Sequence, residues 1–247
     1  MFRLLLITAH PDDEASSFGG ALQMYRDKGV ETHCICLTPG QAASNRGGAT
    51  SDDELSEMRR KEFAAACELL RISKYEVLNF RDGKLAQENF YEVVGELVRR
   101  VRQIRPHVMF TFGGEGAVTA HPDHTMASLF ATAAFHWAGH TNRYPEQLEK
   151  DGLKPHITQK LYYASYTFHL EGRQPVSLAP RTAVLEVSKY VEKKIAAFEL
   201  HTSQSPLFTL FRENVAKREG KEFFHLVAAR NIMEAKVETD LFEGVEE

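Results

Sequence analysis

The 247-residue chain contains only three cysteines, Cys34, Cys36 and Cys67, and all three lie within apolar segments. An odd number of cysteines in such positions excludes a small fold stapled by disulfides and indicates buried thiols in a reducing compartment. The sequence therefore favours a cytoplasmic protein held together by a hydrophobic core, for which its length is sufficient.

Long hydrophobic runs and basic clusters are also missing. No apolar stretch approaches the roughly 20 residues of a membrane-spanning helix, so we expect no membrane span. The apolar run at residues 2–9 is too short for a secretory signal, and an acidic cluster follows it directly. The formal net charge is −4, with no run of lysine or arginine. The composition thus gives no electrostatic basis for binding a nucleic acid.

Strand and helix patterns alternate over the first half of the chain. Short apolar runs predict buried strands, and apolar residues at helical spacing predict amphipathic helices. The expected strands are 2–9, 31–37, 75–80 and 107–112, and the expected helices are 19–28, 51–70, 90–104 and 126–137. This alternation predicts an α/β fold with a mostly parallel sheet covered by helices on both faces.

The second half of the chain is less regular. Residues 139–158 are polar and contain Pro and Gly, which predicts an excursion over the surface. We expect further strands at 160–165 and 182–187 and further helices at 188–200 and 207–220. Since no repeat or linker divides the chain, we expect a single domain over residues 1–247.

Two clusters of histidine and aspartate follow predicted strands that are far apart in the chain. His10-Pro11-Asp12-Asp13-Glu14 follows the first strand, and His121-Pro122-Asp123-His124 follows the fourth. Ligands gather at the carboxyl ends of parallel strands, so the two clusters should meet there. The long loop at 39–50 and Arg81-Asp82-Gly83 should reach the same edge. Because zinc favours imidazole and carboxylate ligands, the clusters predict a divalent metal site.

The spacing within the first cluster suits a catalytic metal site. His10 and Asp13, joined by His124, would provide two imidazoles and one carboxylate and leave a fourth position for water. Zinc lowers the pKa of such a water to about 7, and Asp12 would be free to accept its proton. The alternative is that the acidic residues only stabilise the amino terminus of a helix, where carboxylates are favoured.

The second cluster has two histidines three residues apart, which lets both face one pocket. One imidazole can bind the metal while the other stays near the substrate carbonyl. Asp123 could hold the free imidazole of His121 and raise its pKa. The plainer interpretation is a pair of surface histidines beside a proline that begins a helix.

The motif Ala9-His10-Pro11-Asp12-Asp13-Glu14, paired with His121-Pro122-Asp123-His124, resembles the LmbE/PIG-L family of zinc-dependent N-acetylglucosaminyl deacetylases. The resemblance runs from the start of the chain to about residue 135 and extends less closely to residues 201–204 and 222–223. It implies a Rossmann-like three-layer fold with a metal site at the carboxyl ends of the strands.

The resemblance also implies roles for individual residues of the two motifs. His10, Asp13 and His124 would bind the metal, which we expect to be Zn²⁺ or another divalent transition metal such as Fe²⁺. Asp12 would be the general base. His121 would be the imidazole that stabilises the oxyanion or protonates the leaving amine.

Two further residues match positions that contact substrate in the family. Arg59 corresponds to an arginine on the helix after the long loop, and Asp82 corresponds to a carboxylate that binds sugar hydroxyls. A solvated helix charge and a simple turn residue are the respective alternatives. The chain departs from some relatives at Thr119, where they carry a tyrosine. His201, among apolar neighbours, is expected to be a packed histidine.

These expectations describe a hydrolase that removes an N-acetyl group from a small amino-sugar conjugate. An amidase acting on a sugar–cysteine conjugate would use the same machinery. A magnesium-binding phosphoryl-transfer or receiver-type protein leaves the three histidines unexplained, since magnesium prefers oxygen ligands. A non-catalytic metal or sugar-binding module would not need a base at Asp12. The oligomeric state stays open, with a homo-oligomer as one option.

Overall fold

The computed structural model describes residues 1–168, 170, 180–231 and 236–246, and its central feature is a seven-stranded sheet. The strands are β1 (Arg3–Thr8), β2 (Glu31–Cys36), β3 (Lys74–Val77), β4 (Val108–Thr111), β5 (Lys160–Ser165), β6 (Ala183–Glu186) and β7 (Lys221–Ala229). Their order across the sheet is β3-β2-β1-β4-β5-β7-β6. In this order the first five strands run parallel to one another, whereas β7 runs antiparallel to both β5 and β6. The predicted mostly parallel sheet is therefore confirmed.

Helices cover the two faces of this sheet. They are α1 (Asp13–Asp27), α2 (Asp52–Leu69), α3 (Phe90–Ile104), α4 (Pro122–Trp137), α5 (Pro145–Glu149), α6 (Val191–Glu199) and α7 (Phe208–Ala216). One group is formed by α1, α2, α6 and α7, which pack on one another, and the other contains α3 and α4. The three-layer α/β architecture is thus as predicted. Within the described residues, every helix is too short or too polar to span a bilayer.

The central strand β1 explains where a site can form. Its side chains from Leu4 to Ile7 are fully buried, as a parallel strand covered on both faces requires. The chain proceeds from β1 to β2 and β3 on one side, and to β4 and β5 on the other. The gap beyond the carboxyl ends of β1 and β4 is consequently the point where the strand order reverses, which is where open α/β sheets bind ligands.

Several elements begin or end differently from the sequence-based expectation. Helix α1 begins at Asp13 instead of residue 19, and α4 begins at Pro122 instead of residue 126. Acidic residues in a first turn and proline at the first helical position favour both early starts. Helix α7 ends at Ala216 instead of residue 220. Strand β7 was not predicted, because consecutive apolar residues interrupt its alternation.

Glu222 on β7 ties the far side of the sheet to α1. Its carboxylate oxygens accept the N–H groups of Gly20 and Ala21 at 2.9 and 2.8 Å, and Lys194 Nζ donates to it at 2.5 Å. A β-carbon at position 20 would lie 2.8 Å from this carboxylate, so the close approach requires glycine. Burial lowers the pKa of Lys194 to about 8, although Glu222 opposes this shift.

The polar segment 139–158 is anchored to the core instead of lying loosely on the surface. Arg102 on α3 is only 2% exposed and donates to acceptors that follow α4. These are the carbonyl oxygens of Ala138, His140, Arg143 and Tyr144 and the Oε1 atom of Gln147. One guanidinium therefore donates to four backbone carbonyls and one side-chain amide at and after the end of α4, which holds the excursion against α3.

Replacing Arg102 tests this anchoring role. We expect Arg102→Met to lower the free energy of unfolding by about 2–4 kcal/mol, because several buried carbonyls lose their donor. Arg99 lies on the same helix but pairs with Asp151 at the surface, so Arg99→Met should cost only about 0–1 kcal/mol. Denaturant unfolding of both variants measures the difference. Equal losses would contradict the anchoring role.

Candidate active site

The turn between β1 and α1 is held by its own carboxylates. Asp13 Oδ2 accepts the N–H groups of Ala9 and His10 at 3.2 and 2.8 Å. Glu14 Oε2 accepts the N–H of Asp12 at 3.0 Å. Asp12 has φ of 109°, a left-handed conformation that is costly for any residue except glycine. The sequence HPDDE thus folds into a strained turn whose side chains are fixed at the edge of the sheet.

The second cluster forms the start of α4. His121 precedes Pro122, and its Nδ1 accepts the N–H of Asp123 at 3.1 Å. The Asp123 carboxylate in turn accepts the N–H groups of Gly83 and Leu85, at 2.6 and 3.2 Å. The second cluster is therefore locked both to its own helix and to the loop that follows β3.

The structure brings His10, Asp13 and His124 together, as the sequence predicts. Asp13 lies between the two imidazoles, with Oδ1 3.2 Å from His124 Nε2 and Oδ2 3.8 Å from His10 Nδ1. His121 is also present, since each of the three histidines offers a ring nitrogen within 4.8 Å of the others. Proximity alone therefore leaves His121 and His124 as competing candidates for the third ligand.

His10 is oriented by two carboxylates on its outer edge. Its Nε2 lies 3.0 Å from Asp82 and 3.4 Å from Asp123, which turns Nδ1 towards Asp13. Burial alone would lower the pKa of His10. The hydrogen bonds that its ring N–H donates to Asp123 and Asp82 outweigh this effect and raise the pKa to about 10. Carboxylates commonly hold the second nitrogen of a metal-binding histidine in this way.

This arrangement differs from the roles expected for Asp123 and Asp82. The carboxylate of Asp123 contacts His10, and only its backbone N–H contacts His121. Asp82 also accepts the N–H of Ala42 at 3.0 Å, which fixes the long loop. The spacing of the second cluster could not show this, because it does not reveal that the fold places the His10 ring, which follows β1, beside the Asp123 carboxylate.

The donor set fits a divalent metal ion. His124 stacks on Phe112, with ring centroids 4.1 Å apart, and its Nδ1 is buried without a hydrogen-bond partner among the described residues. His10, His121 and His124 each offer a ring nitrogen within 4.8 Å of the others, and Asp13 Oδ1 lies 3.2 Å from His124 Nε2. Imidazole nitrogens with a carboxylate oxygen are typical ligands of zinc. A cation there would also offset the repulsion between the adjacent carboxylates of Asp12 and Asp13.

The partly buried Asp12 pairs with the buried Arg59 beside this space. Arg59 is 3% exposed, so the alternative of a solvated helix charge is wrong. Its Nη2 donates to Asp12 Oδ2 at 2.9 Å and to the carbonyl of Pro11, and its Nη1 donates to Gly40 O at 3.0 Å. Burial raises the pKa of Asp12 to about 6, although Arg59 opposes the shift. Arg59 thus holds the carboxylate that the sequence suggests as base.

Residues from the second half of the chain complete the surroundings. His201 Nε2 lies 2.7 Å from Glu14 Oε1, and both side chains are fully buried, so His201 is packed as expected. Glu62 on α2 accepts the N–H of Ser203 at 2.6 Å and its hydroxyl at 2.7 Å. Pattern alone did not assign roles to Glu14 and Glu62. The faint resemblance at residues 201–204 was the one signal that this segment belongs near the site.

A cleft of about 590 Å³ opens over these groups. Seven of the eight predicted site residues line it, and Asp123 contacts His10 without lining the cleft. Thr119 lines it as well, in a single helical turn before α4. The volume lies within the range of about 300–1,000 Å³ that is usual for small-molecule sites.

Comparisons with known proteins agree with this geometry. Residues 5–135 match the family model described as PIG-L, GlcNAc-PI de-N-acetylase. The diacetylchitobiose deacetylase of Thermococcus kodakarensis is 30% identical over 204 residues, which cover 83% of this chain and 70% of that protein. The mycothiol S-conjugate amidase of Streptomyces coelicolor is 33% identical over 180 residues, which cover 65% of this chain and 60% of the amidase.

A solved structure supports the fold. The N,N'-diacetylchitobiose deacetylase of Pyrococcus horikoshii superimposes with a TM-score of 0.75 at 23% identity, over 91% of this chain and 83% of that one. The family match covers both His/Asp clusters. The chain therefore belongs to the LmbE/PIG-L family of deacetylases, as the two motifs predict.

Proposed function

We propose that the protein is a metal-dependent hydrolase that removes the N-acetyl group from a small conjugate containing N-acetylglucosamine. The observation that carries the proposal is the convergence of His10, Asp13 and His124 beside the Asp12–Arg59 pair. The diacetylchitobiose deacetylase that the chain resembles supports the class of substrate.

His10, Asp13 and His124 would hold the metal, with Zn²⁺ as the preferred ion and Fe²⁺ as an alternative. When bound, the ion would supply a Lewis acid that polarises the amide carbonyl and lowers the pKa of water. The remaining steps depend on groups of the chain itself.

Asp12 is suited to act as the general base. Its pKa of about 6 lies close to neutral pH, so the carboxylate is ionised at pH 7 yet basic enough to take a proton from the attacking water. The water oxygen then bonds to the acyl carbon. Arg59 keeps the carboxylate in place through its contact with Asp12 Oδ2.

His121 is suited to stabilise the oxyanion as a neutral donor. Its Nδ1 accepts a backbone N–H, so the ring proton resides on Nε2. Burial and the nearby His10 and His124 lower the pKa of His121, which favours the neutral imidazole at pH 7. As the carbon–nitrogen bond breaks, the proton that Asp12 took from water passes to the amine, and acetate and the amino sugar leave. A neutral His121 stabilises the oxyanion and does not supply this proton.

An amidase acting on a sugar–cysteine conjugate is the second candidate. The similarity to the mycothiol S-conjugate amidase favours it, because the same residues could cleave an amide with a larger acyl group. A magnesium-dependent phosphoryl-transfer protein is disfavoured, because the three histidines converge with the carboxylates at one point.

The activity and the base are tested together. We expect the zinc-loaded protein to release amine and an equal amount of acetate from one or more members of a panel of N-acetylglucosamine derivatives. Asp12→Asn should lower kcat by about a hundredfold or more while bound zinc stays constant, because a base and not a ligand is removed. Asp53→Asn, which changes an exposed carboxylate at the start of α2, is the matched control. Unchanged turnover in Asp12→Asn would exclude Asp12 as the base.

The two histidines of the second cluster should respond differently to replacement. His124→Ala should lose metal and activity together, because it removes a ligand. His121→Ala should retain metal and lose kcat with a smaller effect on KM, because it removes a donor to the transition state. Bound zinc and steady-state kinetics distinguish the two. Zinc lost from His121→Ala and retained by His124→Ala would reverse the assignment.

The carboxylates that orient His10 should act through the metal. We expect Asp82→Asn and Asp123→Asn each to weaken zinc binding by about 10–100-fold, because an amide holds the imidazole less firmly. Competition with a chelator of known affinity measures the change. Unaltered zinc affinity with reduced kcat would instead indicate that these carboxylates act on substrate or on His121.

A further inference from the structure

The cleft has two chemically different halves. At the metal end, each acidic side chain in the lining already has a partner. Asp12 pairs with Arg59, Asp13 with His124, and Asp82 with His10. An N-acetylglucosamine unit placed over these groups would leave the other half of the cleft to the group attached to the sugar.

The second half is apolar and comes from α7 and the segments around it. Phe211 stacks on Phe198, with ring centroids 3.9 Å apart, which fixes the inner side of this wall. Leu207 and Leu210 line the cleft and are 38% and 43% exposed. Large apolar side chains exposed together in a cleft favour an apolar ligand, because burying them is worth about 25 cal/mol per Å².

Arg218 adds a positive charge to this apolar half. Its guanidinium carbon lies 5.4 Å from the ring centre of Tyr166 and 5.7 Å from that of Phe168. Within the described part of the chain no carboxylate lies within 4 Å of it, and its guanidinium makes no hydrogen bond there, in contrast to Arg59. Contacts with two ring faces hold the guanidinium while its N–H groups remain available to a ligand.

Tyr166, one of the two rings that Arg218 contacts, also connects this half of the cleft to the metal end. The hydroxyls of Tyr166 and Ser17 are 3.1 Å apart, and Ser17 lies one helical turn after Asp13 on α1. A single ligand can therefore extend from the acetamide over Asp13 to the apolar wall and Arg218, all of which line the same cleft.

We propose that the preferred substrate carries an apolar aglycone ending in an anionic group, and that Arg218 binds this anion. The proposal rests on the proposed function, because it names the group attached to the amino sugar in the same cleft. Guanidinium binds carboxylate and phosphate through the same paired N–H groups, so either anion fits the geometry.

The test uses aryl N-acetylglucosaminides that differ only at the para position of the ring. The anionic members carry a carboxylate or a phosphate, and the neutral member carries a carboxamide. Amine release gives kcat/KM for each compound. Titration calorimetry with the corresponding deacetylated glycosides gives Kd without requiring turnover.

We expect at least one anionic compound to exceed the carboxamide by about tenfold or more in kcat/KM and in affinity, as a charge-assisted hydrogen bond would produce. Arg218→Gln should bring the ratio of the anionic compound to the carboxamide close to one. Comparing the carboxylate with the phosphate compound shows which of the two anions Arg218 prefers. Arg212→Gln should retain the ratio, because Arg212 pairs with Glu199 at 2.6 Å and does not line the cleft.

Equal affinity of the parent protein for anionic and neutral compounds would overturn the proposal, even if Arg218→Gln failed to fold. A preference retained in Arg218→Gln would also overturn it. Anion-selective binding without any amine release would instead contradict the proposed deacetylase function and leave the Arg218 site standing.

Discussion

Three consecutive carboxylates at the end of β1 are the constraint on which the rest of the structure depends. Asp12, Asp13 and Glu14 are largely buried within one turn, where unpaired charges would cost several kcal/mol each. Each carboxylate contacts a cationic or imidazole side chain from a different element. Arg59 comes from α2, His124 from α4 and His201 from the segment after α6. The acidic turn therefore contacts parts of the chain up to 187 residues away in sequence, and it lies at the point where the strand order reverses.

The same constraint divides the histidines and carboxylates into separate tasks. Asp13 lies beside Nδ1 of His10, at the proposed metal site, whereas Asp82 and Asp123 contact Nε2 on the opposite edge of the same ring. Asp12 has a left-handed backbone and pairs with Arg59, and burial raises its pKa to about 6. A carboxylate bound tightly by several donors would be a poor base, and one exposed to water would have an ordinary pKa. Its partial pairing therefore suits the proposed role of a base that is ionised and still reactive near neutral pH.

The sequence predicted the parts of this arrangement that follow from strand ends and short motifs. The order of the first four strands, the positions of both clusters and the meeting of His10, Asp13 and His124 all follow from the alternation of apolar runs. The partner of Asp123 was wrong, because contacts across the sheet edge depend on where the loop after β3 places Gly83 and Asp82. The burial of Arg59 was equally hidden, since the charged neighbours Arg60 and Lys61 make its helix face look solvated. β7 escaped prediction because consecutive apolar residues interrupt its alternation, although it pairs with both β5 and β6 inside the sheet.

The residues proposed for catalysis and those proposed to bind the aglycone come from different parts of the chain. The family match ends at residue 135 and includes all eight residues predicted for the site. The apolar wall and Arg218 lie beyond that limit, in the segment after β5, on α7 and in the turn before β7. Glu222 and His201 attach this second part to α1 through buried hydrogen bonds, and the His201 ring also lies 6.4 Å from that of Phe198 in the wall. The exposed wall residues Leu207 and Leu210 make none of these hydrogen bonds, so they can change without removing a contact of the acidic turn. Under the proposed function, a fold joined in this way could keep one amide-hydrolysing centre while the second part of the chain accepts different groups on the sugar. The motifs then define the centre, and the second part of the chain bears on the aglycone.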